Sequence, residues 1–186
     1  MTVTRRRMLA LAGGGVVLAA TGIGAFMSTR SPARALAPWA AAGGYADVRL
    51  HARSWAFLAP NPHNRQPWTA ELVGADTVRV FRDPTRNLPE TDPFDRQLTI
   101  GMGCFLELMT LAASTRGCAV SLTLFPDGED GPVAVAVFRD AGVSPEPLFA
   151  FAALRRSCKE PFAETLVSAA EAQALSAHGT IVTDRG

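Results

Sequence analysis

The chain is poor in the side chains that most enzyme chemistries need. It has three cysteines, three histidines, one tyrosine and one lysine in 186 residues. Cys104, Cys118 and Cys158 are odd in number, widely spaced and form no Cys-x-x-Cys. With only His51, His63 and His178 beside them, no zinc or haem arrangement is visible and no metal ligand is nominated. No triad or carboxylate pair stands out, so no catalytic acid or nucleophile is nominated either. No strand pattern runs through a Gly-rich turn into a helix, which excludes Rossmann and P-loop units. Gly101-Met102-Gly103 lies inside a helical pattern and is no nucleotide loop. Negative charge is missing from the first 46 residues: Arg5, Arg6, Arg7, Arg30 and Arg34 all precede the first acid, Asp47. Without those five arginines the 18 basic and 17 acidic residues become 13 against 17, a net charge of −4. Such a body is a poor binder of nucleic acid, which needs clustered cations.

What the basic N-terminus does have is the form of an export signal. Thr4-Arg5-Arg6-Arg7-Met8-Leu9 fits the twin-arginine pattern, and the Gly- and Ala-rich apolar run Leu9 to Met27 follows it. Ala33-Arg34-Ala35 offers a small-x-small cleavage site. The expectation is passage through the twin-arginine translocase to the periplasm or cell envelope. The alternative is an uncleaved anchor, for which 19 residues are barely long enough. Because that route carries folded proteins, frequently with a cofactor already in place, it favours a bound prosthetic group without naming one. An exported chain can form a disulfide, but spacing alone pairs none of the cysteines.

The body, 48% apolar and 19% charged overall, reads as globular, with room for one domain or one domain and part of another. Val48, Ala52, Trp55 and Leu58 make one helical stripe between Ala46 and Leu58, while His51 and Arg53 fall on its flanks and are expected to be solvated. Strands Trp68 to Val73 and Thr77 to Arg82 flank the turn Gly74-Ala75-Asp76 as a hairpin, with Val78 and Val80 on the covered face. A long helix follows from about Arg96 to Arg116, capped by Asp92 or Asp95 and ended by Gly117. It is apolar nearly all round and is expected to be the buried centre. Gly101 and Gly103 each weaken it by roughly 1 kcal/mol, tolerable where another backbone must come close. Glu107 is its one acid, expected to point outward or pair with an arginine. Strands Ala119 to Phe125 and Pro132 to Phe138 form a second hairpin. Helix, hairpin, long helix, hairpin is the order of an α+β fold with an antiparallel sheet. After a linker, a short helix starts near Leu148, and a further helix spans Ala163 to Ala177.

Two stretches carry chemistry. In Ala59-Pro60-Asn61-Pro62-His63-Asn64-Arg65-Gln66-Pro67-Trp68, each proline fixes its own φ and drives the preceding residue out of the α region, so the first helix stops here. Asn61 and Asn64 can bond back onto the chain. The stretch is either a well-capped connection or a rigid polar loop with freed amides at the edge of a core. In Leu154-Arg155-Arg156-Ser157-Cys158-Lys159, three cations and a hydroxyl make either a compact anion site or a solvated cluster at a helix end. Lys159 is the chain's single lysine.

The first stretch resembles the Ala-Pro-Ser-x-x-Asn-x-Gln-Pro-Trp signature of the FMN-dependent nitroreductase family, with Asn61 where serine is common. The resemblance implies that Pro60, Asn61 and Pro62 lie along the flavin ring, with Asn64 and Gln66 bracing the loop. The second stretch is similar to the Arg-Arg-Ser motif that opens nitroreductase domains. By that likeness Arg155, Ser157 and Lys159 grip the FMN phosphate and Arg156 lies beside the ribityl chain. In a single such domain the cationic motif comes first; here the loop does. That order resembles the exported tandem branch, in which two repeats in one chain imitate the usual dimer. The chain then divides into a signal over residues 1–35, a linker over 36–45, a first repeat over 46–140 and the start of a second over 148–186, looking truncated. The missing half, or another copy, is expected to complete the fold. The implied activity passes electrons from NAD(P)H, through flavin N5, to a small nitro- or quinone-like acceptor. The alternatives are a protein that sequesters flavin without turnover, and an inert truncated envelope protein.

Overall fold

The computed structural model describes residues 21–26, 33–158, 160–161, 165–177 and 179–180. The twin-arginine motif and Lys159 lie outside them. The chain separates into two compact units, residues 1–155 and 156–186.

In the first unit, residues 21–26 are helical, and helix α1 (Ala33–Ala41) covers the Ala33-Arg34-Ala35 site and the first part of the stretch read as a linker. Helix α2 (Val48–Ala56) starts where Asp47 accepts the Arg49 amide at 2.8 Å. A bridge of 2.7 Å to the Arg49 guanidinium fixes the same carboxylate. That side-chain hydrogen bond is the main reason the Asp47 carboxyl drops from 3.8 to about 2; burial opposes it, and the Arg49 amide and charge assist it.

Strands β1 (Trp68–Val73), β2 (Thr77–Arg82), β3 (Cys118–Leu124) and β4 (Ala134–Asp140) form one antiparallel sheet in the order β1-β2-β4-β3. The first hairpin has the expected bounds; in the second, one strand starts a residue earlier than expected and the other two residues later, and the fold is α+β. Helix α3 (Arg96–Ser114) lies between the hairpins in sequence and across the covered face of the sheet in space. Val78, Val80, Ala134, Ala136 and Phe138 of the sheet are buried against Met102, Phe105 and Met109 of the helix. Phe105 is the centre of this layer. Its ring meets Trp68 at 5.0 Å and Phe57 at 5.8 Å between centroids. The helix is long and apolar enough to cross a membrane, but half of it is buried inside the unit, which accounts for its composition.

The start of α3 resolves the choice between its two acids. Asp92 is buried, and its carboxylate accepts the Leu98 amide at 2.9 Å, reaching the first turn from three residues upstream of the cap position. Burial pushes this carboxyl up, but the amides of Leu98, Gln97 and Arg96 outweigh it and hold it below the ordinary carboxylate range. Asp95 occupies the cap position with φ 51° and makes no capping bond; its carboxylate pairs with Arg82 instead.

His51 corrects an expectation. Instead of being solvated it is only 6% exposed, with Nδ1 3.1 Å from the Gly43 carbonyl oxygen and Nε2 3.1 Å from Thr115 Oγ1. The stripe count placed it on a flank. The C-terminal end of α3 and the turn before α2 close over that flank, and only the tertiary fold brings them there.

The segment read as a short helix near Leu148 is a 3₁₀ turn, Pro147–Phe151. In the second unit, helix α4 (Ala169–Ser176) begins later than Ala163. The cause is local: Ser168 Oγ accepts the Glu171 amide at 3.3 Å while Glu171 accepts the Ser168 amide at 2.8 Å, a reciprocal cap that sets the first turn.

Candidate functional site

The loop after α2 is built by its prolines. Phe57 and Leu58 finish the helix, and Asn61, ahead of Pro62, is extended at φ −153°. Pro62–Asn64 then make one 3₁₀ turn. Three side-chain-bearing residues in four are left-handed: His63 at φ 49°, Asn64 at 52° and Gln66 at 49°. Conformations of this kind cost of order 1–3 kcal/mol each and last only where neighbouring structure over-determines them. Here Asn61 does much of that. Its Oδ1 accepts the Gln66 amide at 2.7 Å, and its Nδ2 donates to the Ala59 carbonyl at 3.2 Å. The Arg65 amide adds a bond to the Pro62 carbonyl at 3.0 Å.

The loop sits directly on α3, and Gly101 makes this possible. A methyl group on Gly101 would lie 3.3 Å from both Asn61 Cβ and Pro62 Cδ. Gly103, two residues on, faces open space. So one of the two helix glycines serves a close approach and the other does not.

Beside the loop is a cavity of about 500 Å³. Ile100, Cys104, Leu108 and Leu111 of α3 form one wall, and Leu148 and Phe151 of the 3₁₀ turn form another. Pro60 and Arg155 both line it, as does Glu107, which points outward as expected. Arg155 is held in place: its Nη2 donates to the Leu58 carbonyl at 2.9 Å. A residue of the cationic stretch is thereby bonded to the chain just ahead of the proline loop, 97 positions earlier in sequence.

The remaining nominated residues are placed as follows. Asn61 and Pro62 are half-buried against Gly101, while Asn64 and Gln66 are exposed; none of the four lines this cavity. Arg156 and Ser157 are exposed residues of the second unit. Cys118 is half-buried, and burial, helped by the Asp140 carboxylate, raises its thiol pKa, so it is no ready thiolate. Among the described residues no group of three His, Cys, Asp or Glu could hold a metal ion.

Sequence reasoning did not find Leu148 and Phe151 as cavity walls, nor the arginines beneath the loop. Arg65 donates through Nε to the Arg86 carbonyl at 3.0 Å and through Nη2 to the Thr85 carbonyl at 3.3 Å. Arg86 answers with Nη1 to the Arg65 carbonyl at 2.8 Å. No sequence signal joins residues 21 positions apart on two irregular segments.

No protein-family model matches the chain. Two curated proteins, each named "Putative NAD(P)H nitroreductase" (MT3217 and Rv3131), come from Mycobacterium tuberculosis strains CDC 1551 / Oshkosh and ATCC 25618 / H37Rv. Each is 33% identical over 75 residues. The chain is similar to nitroreductases. The matched stretch is 40% of this chain and spans only 22% of the length of either relative.

Proposed function

We propose that this chain is an FMN-binding oxidoreductase of nitroreductase type, taking electrons from a nicotinamide and delivering them to a nitro- or quinone-like acceptor. The observation that carries the reading is that Pro60 and Arg155, drawn from two separate flavin-type motifs, line one largely apolar cavity of about 500 Å³. That volume falls within the range of about 300–1,000 Å³ usual for cofactor sites. The similarity to the two mycobacterial relatives supports the same chemistry.

The residues fit the group. Ile100, Leu108, Phe151 and Pro60 offer apolar surface to a planar ring. Arg155, with Arg156, Ser157 and Lys159 next in the chain, supplies the cations and hydroxyl that grip a phosphate. Asn61 contributes shape, since both its polar side-chain atoms are engaged within the loop. When bound, the flavin supplies the two-electron chemistry, and the protein supplies grip and orientation.

The apolar wall is open: Ile100 is 53% exposed, Leu148 53% and Phe151 62%. In this proposal a second copy, or further chain of the same fold, covers it. Export through the twin-arginine translocase belongs to the same reading, and replacing Arg5, Arg6 and Arg7 with lysine should hold the protein inside the cell.

The decisive experiment is FMN titration of the purified protein, followed by absorbance and fluorescence. Binding that weakens in Arg155→Ala and Lys159→Ala is the expected result. Protein that is colourless and indifferent to FMN refutes the proposal. Nicotinamide oxidation in the presence of a nitroaromatic then distinguishes turnover from sequestration.

A further inference from the structure

We infer that Arg65 and Arg86 are positioning residues, a reciprocal clamp that holds the Pro60–Gln66 loop in its left-handed shape; their role toward flavin rests on the function proposed above. The loop carries three left-handed residues, and the bonds within it close only its own ring. Something outside must fix that ring to the rest of the protein. On the α3 side the contact at Gly101 does so. A second fixing comes from the segment after β2.

That segment is built as an anchor. Asp83 donates its amide to the Pro67 carbonyl at 2.8 Å, which ties it to the chain just before β1. Its carboxylate accepts the Thr85 hydroxyl at 2.6 Å, the Thr85 amide at 3.0 Å and Arg86 Nε at 3.2 Å. The Thr85 hydroxyl is the main reason this carboxyl sits below its ordinary range, with the Thr85 amide next; burial opposes them, and Arg86 adds a smaller lowering. Arg86 is therefore oriented by Asp83, and its Nη1 reaches the Arg65 carbonyl. Arg65, between the left-handed Asn64 and Gln66, returns two bonds, to the Arg86 and Thr85 carbonyls. Each arginine holds the other's backbone. A guanidinium suits this geometry because it presents several donors in a rigid fork, which a lysine does not. The clamp lies away from the cavity walls, so it acts on a flavin only by holding Pro60 to Gln66 still.

The test uses Arg65→Ala, Arg86→Ala, the double variant, Arg65→Lys, and Arg116→Ala as a control of equal charge change on an exposed residue. Hydrogen exchange of the Gln66 amide is measured without FMN, and FMN affinity is measured separately. Each single alanine variant should speed Gln66 exchange about tenfold and weaken FMN binding to a similar degree, with the urea midpoint little changed. Because each guanidinium bonds a backbone carbonyl that alanine retains, either half of the clamp outlasts loss of the other, and the double variant should be clearly worse than either single one. Arg65→Lys should recover little, and Arg116→Ala should match the wild type. Unchanged Gln66 exchange in both alanine variants overturns the clamp itself. Faster exchange with unchanged FMN affinity overturns its positioning role. Wild-type protein that does not bind FMN at all, with exchange still accelerated in the variants, overturns the flavin reading and leaves the clamp standing.

Discussion

Two glycines on one helix give a direct test of how the loop is seated. Both Gly101 and Gly103 lie inside α3, and each should gain about 1 kcal/mol of helix stability on replacement by alanine. The surroundings differ. Around Gly103 nothing lies within 4 Å of the new methyl, so Gly103→Ala should realise the gain in full. For a chain of this size that is a rise of about 2–4 °C in Tm. At Gly101 the methyl meets Asn61 Cβ and Pro62 Cδ at 3.3 Å. These neighbours cannot swing aside like a flexible side chain, because the proline ring and the Asn61 bonds fix them. Overpacking of this kind costs about 1–3 kcal/mol, so Gly101→Ala should come out neutral to destabilising by about 2 kcal/mol. The two variants should therefore differ by about 1–3 kcal/mol, or about 1 M in urea midpoint for a slope of about 2 kcal/mol/M. Urea unfolding followed by circular dichroism measures it. Equal stabilisation by both substitutions would refute the claim that the loop rests on the helix backbone.

Three further outcomes follow from the packing. Phe105→Ala removes the ring between Trp68 and Phe57 and should cost about 3–5 kcal/mol, seen as a large drop in urea midpoint at unchanged slope. His51→Phe keeps a ring of similar shape but leaves the Gly43 carbonyl and Thr115 hydroxyl without it, for a loss of about 1–3 kcal/mol by the same assay. Asp47 has a folded pKa of about 2 against an ordinary 3.8, so its stabilisation is full above about pH 4 and is lost as pH falls towards 2. Asp47→Asn, which keeps a helix cap, should flatten the acid limb of the stability profile over that window, and thermal melts from pH 2 to 5 would show it.

The elements themselves were legible because their causes are local. Alternation in Thr77–Arg82, the turn at Gly74-Ala75-Asp76, and the apolar run of Arg96–Ser114 each act within a few residues, and each appears where the pattern puts it. So did the corner at Pro60 and Pro62, since proline restricts the backbone whatever surrounds it. Even the late start of α4 was written in Ser168-x-x-Glu171, a cap the apolar count passed over. What pattern could not supply was contact between distant segments. His51 is buried because Thr115, 64 positions away, closes over it. Arg155 reaches Leu58, Arg65 meets Arg86, and Gly101 rather than Gly103 receives the loop. Each depends on where one irregular segment comes to rest against another, and side-chain periodicity is silent about that. The sequence by itself determined the strands, the central helix and the stiff corner, through short-range sterics and hydrophobic spacing. The cavity beside Pro60, with Arg155 in its lining, was decided only by where the 3₁₀ turn and the proline loop came to rest against the long helix, which short-range rules do not set.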